Sequence, residues 1–243
     1  MSHTPIHISI RKAASAPDFL RTLLLRTIGN FLILSSLFMI GKTFYQPVRE
    51  EFRYFFDSLV HKTYVVDTST TSGVVENQTP KGGLASILNI KTVEIVRPED
   101  PSYSIVIPKI GANARIIANV NAADEGEYLK ALQKGVAHVL GSAFPGEGGH
   151  IFLFAHSTDY VWNVGTYNAV FYLLYKLETG DEVDLFYKNH RYVYKVIGKK
   201  EVFPNEVEYL TRKTTTEFLT LQTCWPPGTT LKRILVFATR AVE

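Results

Sequence analysis

Three residues in this chain carry side chains that could do covalent chemistry together: His156, Cys224 and Arg233. Cys224 is the only cysteine, so it can form no disulfide within the chain. It is a buried small apolar residue, half of an intermolecular bridge, or a reactive thiol. A free thiol has a pKa near 8.5, so about 3% is thiolate at pH 7. A nearby imidazole can take the thiol proton during attack and deliver it to a leaving amine. Arg233 cannot act as a base, because guanidinium stays protonated. It can bind a substrate carbonyl or a developing oxyanion, where loss of one donor typically costs on the order of 10²–10³ in rate. Together the three would carry out acyl transfer through a thioester. Taken singly, each has a plainer reading: a small core residue, a histidine bonded to a backbone carbonyl at the end of a core strand, and a strand-edge arginine beside Lys232.

The local sequence puts all three at strand ends. In Glu217–Cys224 the side chains alternate, with Leu219, Leu221 and Thr223 on one face and Phe218, Thr220, Gln222 and Cys224 on the other. The leucine face belongs in the core, which leaves Cys224 on the opposite face. Pro226 and Pro227 have no N–H to donate, so the strand must leave the sheet there. The thiol therefore lies at a rim, with Trp225 and the prolines expected as its outer wall. HIFLFAH, residues 150–156, is an apolar strand that ends at the histidine. Arg233 follows Cys224 by nine residues, opens the strand RILVFAT and shares a face with Leu235 and Phe237. A hairpin through PPGTTLK would return it beside the cysteine, where cross-strand partners lie about 5 Å apart.

Other polar residues offer less. His138 suits a structural or supporting role, His190 a solvated turn, and His3, His7 and His61 lie in the tail and stalk. No histidine–carboxylate cluster has metal-ligand spacing and no Gly-rich phosphate loop is present. Asp124, Glu125 and Glu127 could line a calcium site, but such acids more often form a solvated helix start. No metal and no cofactor is expected. Lys and Arg number 26 against 23 Asp and Glu, a net charge of +3. With no basic stripe and no RNA-binding motif, nucleic acid is not a partner.

The elements that must hold these residues are mostly β from about Lys91. Candidate strands are Ser104–Ile107, Arg115–Val120, His150–His156, Glu182–Tyr187, Arg191–Phe203, Glu217–Cys224 and Arg233–Thr239, with turn signals between them. Tyr128–Lys134 reads as a short helix and Tyr167–Lys176 as another. Many short strands with few helices predict a mainly β closed barrel rather than a doubly wound sheet.

The N-terminal part is different. Thr27–Gly41 carries no charge and spans roughly 22 Å as a helix. Flanking leucines and the snorkelling residues Arg26 and Lys42 extend it to an expected transmembrane helix over 23–45. GKTFYQP offers no clean cleavage site, which favours an uncleaved anchor over a signal peptide. Arg11, Lys12, Arg21 and Arg26 precede the uncharged core 27–41, so residues 1–22 form a cytoplasmic tail and the domain after the span is extracytoplasmic. Residues 46–90 would hold a juxtamembrane amphipathic helix over 47–62, lying on lipid or packed on the domain, and a Thr/Ser/Gly-rich tether over 67–83. Residues 91–243 form the outer domain. Asn77-Gln78-Thr79 fits a glycosylation pattern by chance.

TLQTC followed by KR in an apolar terminal strand, with FAH upstream, resembles the sortase family of cell-envelope cysteine transpeptidases. IPKI at 107–110, GVAHVLGSAFPGEGG at 135–149 and LETGDEV at 177–183 extend the likeness across residues 102–239. The resemblance implies an eight-stranded β-barrel, with Cys224 as nucleophile, His156 as acid and base, and Arg233 positioning the substrate or oxyanion. It implies surface proteins with a C-terminal LPxTG-like sorting signal as substrates, and an amine of a cell-wall precursor or a pilin lysine as acceptor. The proline after the cysteine region is closer to class D or E members than to class A or B. Many relatives have Asn where His150 stands, a position expected to be structural. The aromatic-rich insertion over 157–176 is expected to be a lid or groove wall. Two other readings compete. An L,D-transpeptidase would carry its cysteine in an SHGC-type segment, and a papain-like protease would place cysteine before histidine; neither matches. A non-catalytic, membrane-anchored barrel that binds rather than reacts would keep the fold with an inert Cys224.

Overall fold

The structure, a computed structural model, describes residues 16–59, 62–66, 93–157 and 169–241. The tether over 67–83, its Asn77 and much of the 157–176 insertion, including Asp159, lie outside the described residues. The chain divides into two compact units, Met1–Gln46 and Pro47–Glu243.

The described part of the first unit is helical and belongs to α1, Ala16–Leu59. Phe19–Lys42, 24 residues, is long and apolar enough to cross a membrane. At 1.5 Å per residue it reaches roughly 36 Å, beyond the ~30 Å of a hydrocarbon core. Two of its hydroxyls are satisfied within the helix: Thr27 donates to the Leu23 carbonyl and Ser36 to that of Leu32, both at 2.9 Å. The helix runs longer than the expected 23–45, and the predicted juxtamembrane helix is its continuation through Pro47 to Leu59.

The second unit is built on a closed eight-stranded barrel. Its strands are β3 (Tyr103–Ile107), β4 (Ala112–Val120), β5 (Val136–Val139), β6 (His150–Phe154), β7 (Glu182–Tyr187), β8 (His190–Val202), β9 (Phe218–Trp225) and β10 (Lys232–Arg240), arranged in the order β10-β8-β7-β3-β4-β5-β6-β9. A separate parallel pair, β1 (Thr63–Val66) and β2 (Val93–Val96), lays Val66 and Val96 over Val106 and Phe186 on the outside of the barrel. The predicted strands are present, Glu182–Tyr187 unchanged and the others with an end moved by up to three residues. The strand not foreseen within the barrel is β5: four residues with Val136 and Ala137 fully buried, too short for alternation to register.

Helix α2, Glu125–Leu132, bridges β4 to the parallel β5. Its acids hold the helix start: the N-cap Asp124 accepts from the Glu127 N–H at 3.1 Å, and Glu127 reaches back to accept from the Asn121 N–H at 2.9 Å. Asp124 and Glu127 thus spend an oxygen each on the helix start. Residues 167 and 168 of the expected helix over 167–176 lie outside the described residues, and 169–176 is instead a set of turns ending in the 3-10 turn Leu174–Lys176. Phe171, Leu174 and Leu177 from this stretch are fully buried in the core. This half of the insertion fills the barrel; it is not a groove wall.

Both faces of the β6-β9-β10 wall are packed. Ile151, Leu153, Leu219, Leu221, Ile234 and Val236 point into the barrel. Phe152 and Leu235 point outward into a second cluster with Val202, where Tyr209 and Leu210 from the β8–β9 connection cover them. The functional end of this wall is tied by Thr223. Its hydroxyl donates to the Ala155 carbonyl at 2.8 Å, and the Ala155 N–H donates to the Gln222 carbonyl at 3.1 Å. Both side chains are buried, so no water can replace the bond.

Two histidines are structural. His138 is fully buried beside Tyr103 and Phe144 and bonds the Ala143 carbonyl through Nε2 at 3.1 Å. His150 donates from Nδ1 to the Arg212 carbonyl at 3.2 Å, which leaves Nε2 to accept from the Thr220 hydroxyl at 2.8 Å. Burial pushes both imidazoles from 6.5 down to about 4.

Two outcomes follow from these contacts. Thr223→Val removes the hydroxyl and strands a buried carbonyl, lowering stability by about 1–3 kcal/mol, whereas Thr223→Ser keeps most of it; urea midpoints compare them. Because the folded histidines hold their protons less tightly than the unfolded ones, the unfolded state takes up protons first as pH falls. Stability therefore drops as pH goes from about 6.5 to about 4. His150→Asn makes the fall shallower in urea melts across that range; an unchanged slope would exclude this residue as its source.

Candidate active site

Strands β6 and β9 run parallel, with Phe154 opposite Gln222. Parallel strands finish at the same rim, and continuing that register by two residues brings His156 abreast of Cys224. Neighbouring strands lie roughly 4.8 Å apart. On the other side β9 pairs antiparallel with β10, and Arg233 is the direct partner of Cys224. Cys224 is therefore flanked at one level by the histidine position just past β6 and the arginine position on β10. By strand alternation all three belong to the outward face, the one that carries Phe152, Phe154 and Leu235.

His156 lies two residues past the end of β6 and is half-buried. Its neighbour Ala155 is held by the two bonds to β9, and its own carbonyl accepts from the Phe171 N–H at 3.3 Å. The histidine backbone is thus gripped by β9 on one side and by the core-filling turn on the other. Phe154, on the same face, packs edge-on against Tyr128 of α2 with centroids 6.3 Å apart.

Cys224 is a free thiol, half-buried. Burial pushes it above its ordinary range, with Arg233 pulling the other way. At neutral pH the resting sulfur keeps its proton, so attack needs a partner that removes it. Arg233 Nη1 donates to the carbonyls of Thr230, at 3.2 Å, and Lys232, at 3.1 Å. These contacts fix the guanidinium at the hairpin loop, and its Nε and Nη2 groups are the donors that remain for an oxyanion. Among the described residues no group of three or more His, Cys, Asp and Glu side chains is placed to hold a metal ion.

Two features of the site escaped sequence reasoning. Thr223 was assigned only to the core face, although its hydroxyl ties the ends of the two strands that carry histidine and cysteine. Trp225 is not an outer wall beside the thiol. It alternates to the opposite side of β9, packs on the barrel core and meets the Tyr175 ring at a tilt of 44°, with centroids 4.9 Å apart. The strand continues through Trp225, paired with Lys232, so the tryptophan still obeys sheet alternation.

This arrangement can be compared with known proteins. The family model described as Sortase domain matches residues 105–241. Sortase D of Bacillus subtilis (strain 168) is 30% identical over 149 residues, covering 59% of this chain and 67% of the relative. Among solved structures, sortase C-1 from Actinomyces oris is 29% identical over 60% of this chain and 76% of its own, with a TM-score of 0.49. A lid mutant of sortase A from Corynebacterium diphtheriae is 26% identical over 59% and 72%, with a TM-score of 0.48. The matched region contains β6, β9 and β10 together with His156, Cys224 and Arg233, and the chain belongs to the sortase family.

Proposed function

We propose that this sortase is a membrane-anchored cysteine transpeptidase that cleaves an LPxTG-like sorting signal near the C-terminus of surface proteins. The observation that carries the reading is the register of β9, which sets Cys224 opposite Arg233 and level with His156. In the first step His156 takes the Cys224 proton as the sulfur attacks the scissile carbonyl. Arg233 faces the oxyanion of the tetrahedral intermediate. Collapse breaks the C–N bond, and His156 protonates the departing amine, leaving a thioester on Cys224. An acceptor amine, from a cell-wall precursor or a pilin lysine, then attacks the thioester. It gives its proton to His156, which returns it to the released thiol as the new amide forms. Each proton removed is given back, so the cycle needs no cofactor.

Phe19–Lys42 supports the anchor, and Arg11 and Lys12 before it, with Arg21 and Arg26 in its first turns, support a cytoplasmic N-terminus with the barrel on the extracytoplasmic side. With residues 1–22 as tail, 23–45 as span, 46–90 as connection and 91–243 as catalytic domain, the site faces the cell envelope, where its substrates and acceptors are.

The direct test is to incubate the full chain in proteoliposomes with sorting-motif peptides and an amine acceptor, and to read the intact mass. An acyl adduct forms on the wild type and is lost in Cys224→Ala; no adduct with any peptide, or an equal one in Cys224→Ala, overturns the reading. Arg233→Gln slows acylation by on the order of 10²–10³ without lowering the unfolding midpoint. Alkylation by iodoacetamide should speed up with pH along a thiol titration lying above the ordinary cysteine range. Arg233→Gln moves that titration higher still, because the charge that opposes the effect of burial is gone. A midpoint that stays put would remove Arg233 from the thiol's surroundings.

A further inference from the structure

Past Pro47, α1 wears its amphipathic pattern inside out. Val48, Phe52, Phe55, Phe56 and Leu59 recur at helical spacing on one face and are between 50% and 62% exposed. The polar face is the half-buried one, and it is pinned at several points. Arg53 donates to the Ile110 carbonyl at 3.1 Å, and Tyr64 donates to Asp57 at 2.7 Å. Glu51 accepts from the Tyr175 hydroxyl and pairs with Lys176 at 3.3 Å. A helix packed on a water-soluble domain turns its apolar stripe to the core. Here charged contacts hold the stripe away from it.

We propose that this aromatic face rests in the interfacial layer of the membrane and sets the barrel's height and orientation over the bilayer. The proposal rests on the reading of Phe19–Lys42 as a membrane span. Three observations favour lipid as the occupant. The face begins a few residues after that span on the same chain. Pro47 lacks an N–H and clashes with the preceding turn, which lets a helix bend there and run along a surface. Phenylalanine and leucine opposite a charged face is the composition of interfacial helices, and the exposed Arg49 is available to anionic headgroups. The consequence reaches the site. Tyr175, bonded to Glu51, packs at a tilt against Trp225, the residue after Cys224. The same contacts that fix the aromatic face tie down the end of the strand that bears the thiol. The rim is held beside the bilayer, and its substrates are peptide segments lying close to a lipid surface.

The test places single cysteines in the full chain carrying Cys224→Ala: Leu34→Cys in the span, Phe55→Cys and Leu59→Cys on the aromatic face, and Lys188→Cys on the β7–β8 turn. Each is labelled with an environment-sensitive fluorophore in vesicles of phosphatidylcholine and phosphatidylglycerol in equal amounts, with spin-labelled lipids as quenchers. Labels at Phe55 and Leu59 should shift to the blue and lose most of their emission to a quencher near the headgroup. The Leu34 label should respond to a quencher deep in the acyl chain, and the Lys188 label to neither. If Leu34 is quenched while Phe55 and Leu59 behave like Lys188, the anchor stands and the interfacial face is wrong. If Leu34 is not quenched either, the anchor fails and takes the proposal with it. A blue shift at Phe55 without lipid quenching means a second copy covers the face, and that also overturns it.

Discussion

The constraint on which the rest of the molecule depends is the parallel pairing of β6 with β9. Two parallel strands have no hairpin between them; what they share is a common end. That end carries His156 just past β6 and Cys224 near the close of β9, so residues far apart in the chain arrive at one rim. β10 then returns antiparallel from the same rim, with Arg233 opposite the thiol. Thr223 and Ala155 lock the two parallel strands together one residue before the reactive side chains. A one-residue slip of either strand would send its side chain to the other face, and the buried bond between them makes such a slip expensive.

Placing the site on the outside of the barrel has a cost elsewhere. The wall bearing it must be apolar on both faces, because the β8–β9 connection covers Phe152 and Leu235 while the barrel interior takes Leu219 and Leu221. Polar residues caught between the layers need partners, and His150 and Thr220 supply each other's. The same burial raises the Cys224 titration, and Arg233 only partly opposes it. In the proposed reaction the thiol rests protonated, and His156, just past the end of β6, would have a proton to move before the sulfur could attack. A protonated resting thiol also limits adventitious oxidation of a cysteine that faces outward.

Much of this was legible in the sequence because period-two alternation is strong wherever one face is buried. The alternation in FLTLQTCW put Cys224 opposite the leucines, and the pairing seen in β9 and β10 agrees. Reading the prolines as the end of the strand was right, but Trp225 was assigned by proximity to Cys224 when one step of alternation sends it to the other side. β5 was missed because four residues buried on both faces carry no alternating signal. The insertion over 157–176 reads as a lid or groove wall because its aromatic composition suits either an outer or a core role; in its described part Phe171 and Leu174 are core residues. Thr223 was placed on the right face, yet its bond to Ala155 spans 68 positions and leaves no local trace. For the segment after Pro47 the sequence offered lipid or domain as alternatives; the polar face packs on the domain and the aromatic face does not.

The central claim is that His156, Cys224 and Arg233 act as one unit, set by strand register. The most direct measurement is a double-mutant comparison of the acylation rate in His156→Ala, Arg233→Gln and the double variant, each checked for an unchanged unfolding midpoint. Groups that serve one transition state are strongly non-additive, so the double variant should be scarcely slower than the slower single one. If the two losses multiply as they do at independent sites, or if either single variant keeps the wild-type rate, the three residues are not a single site.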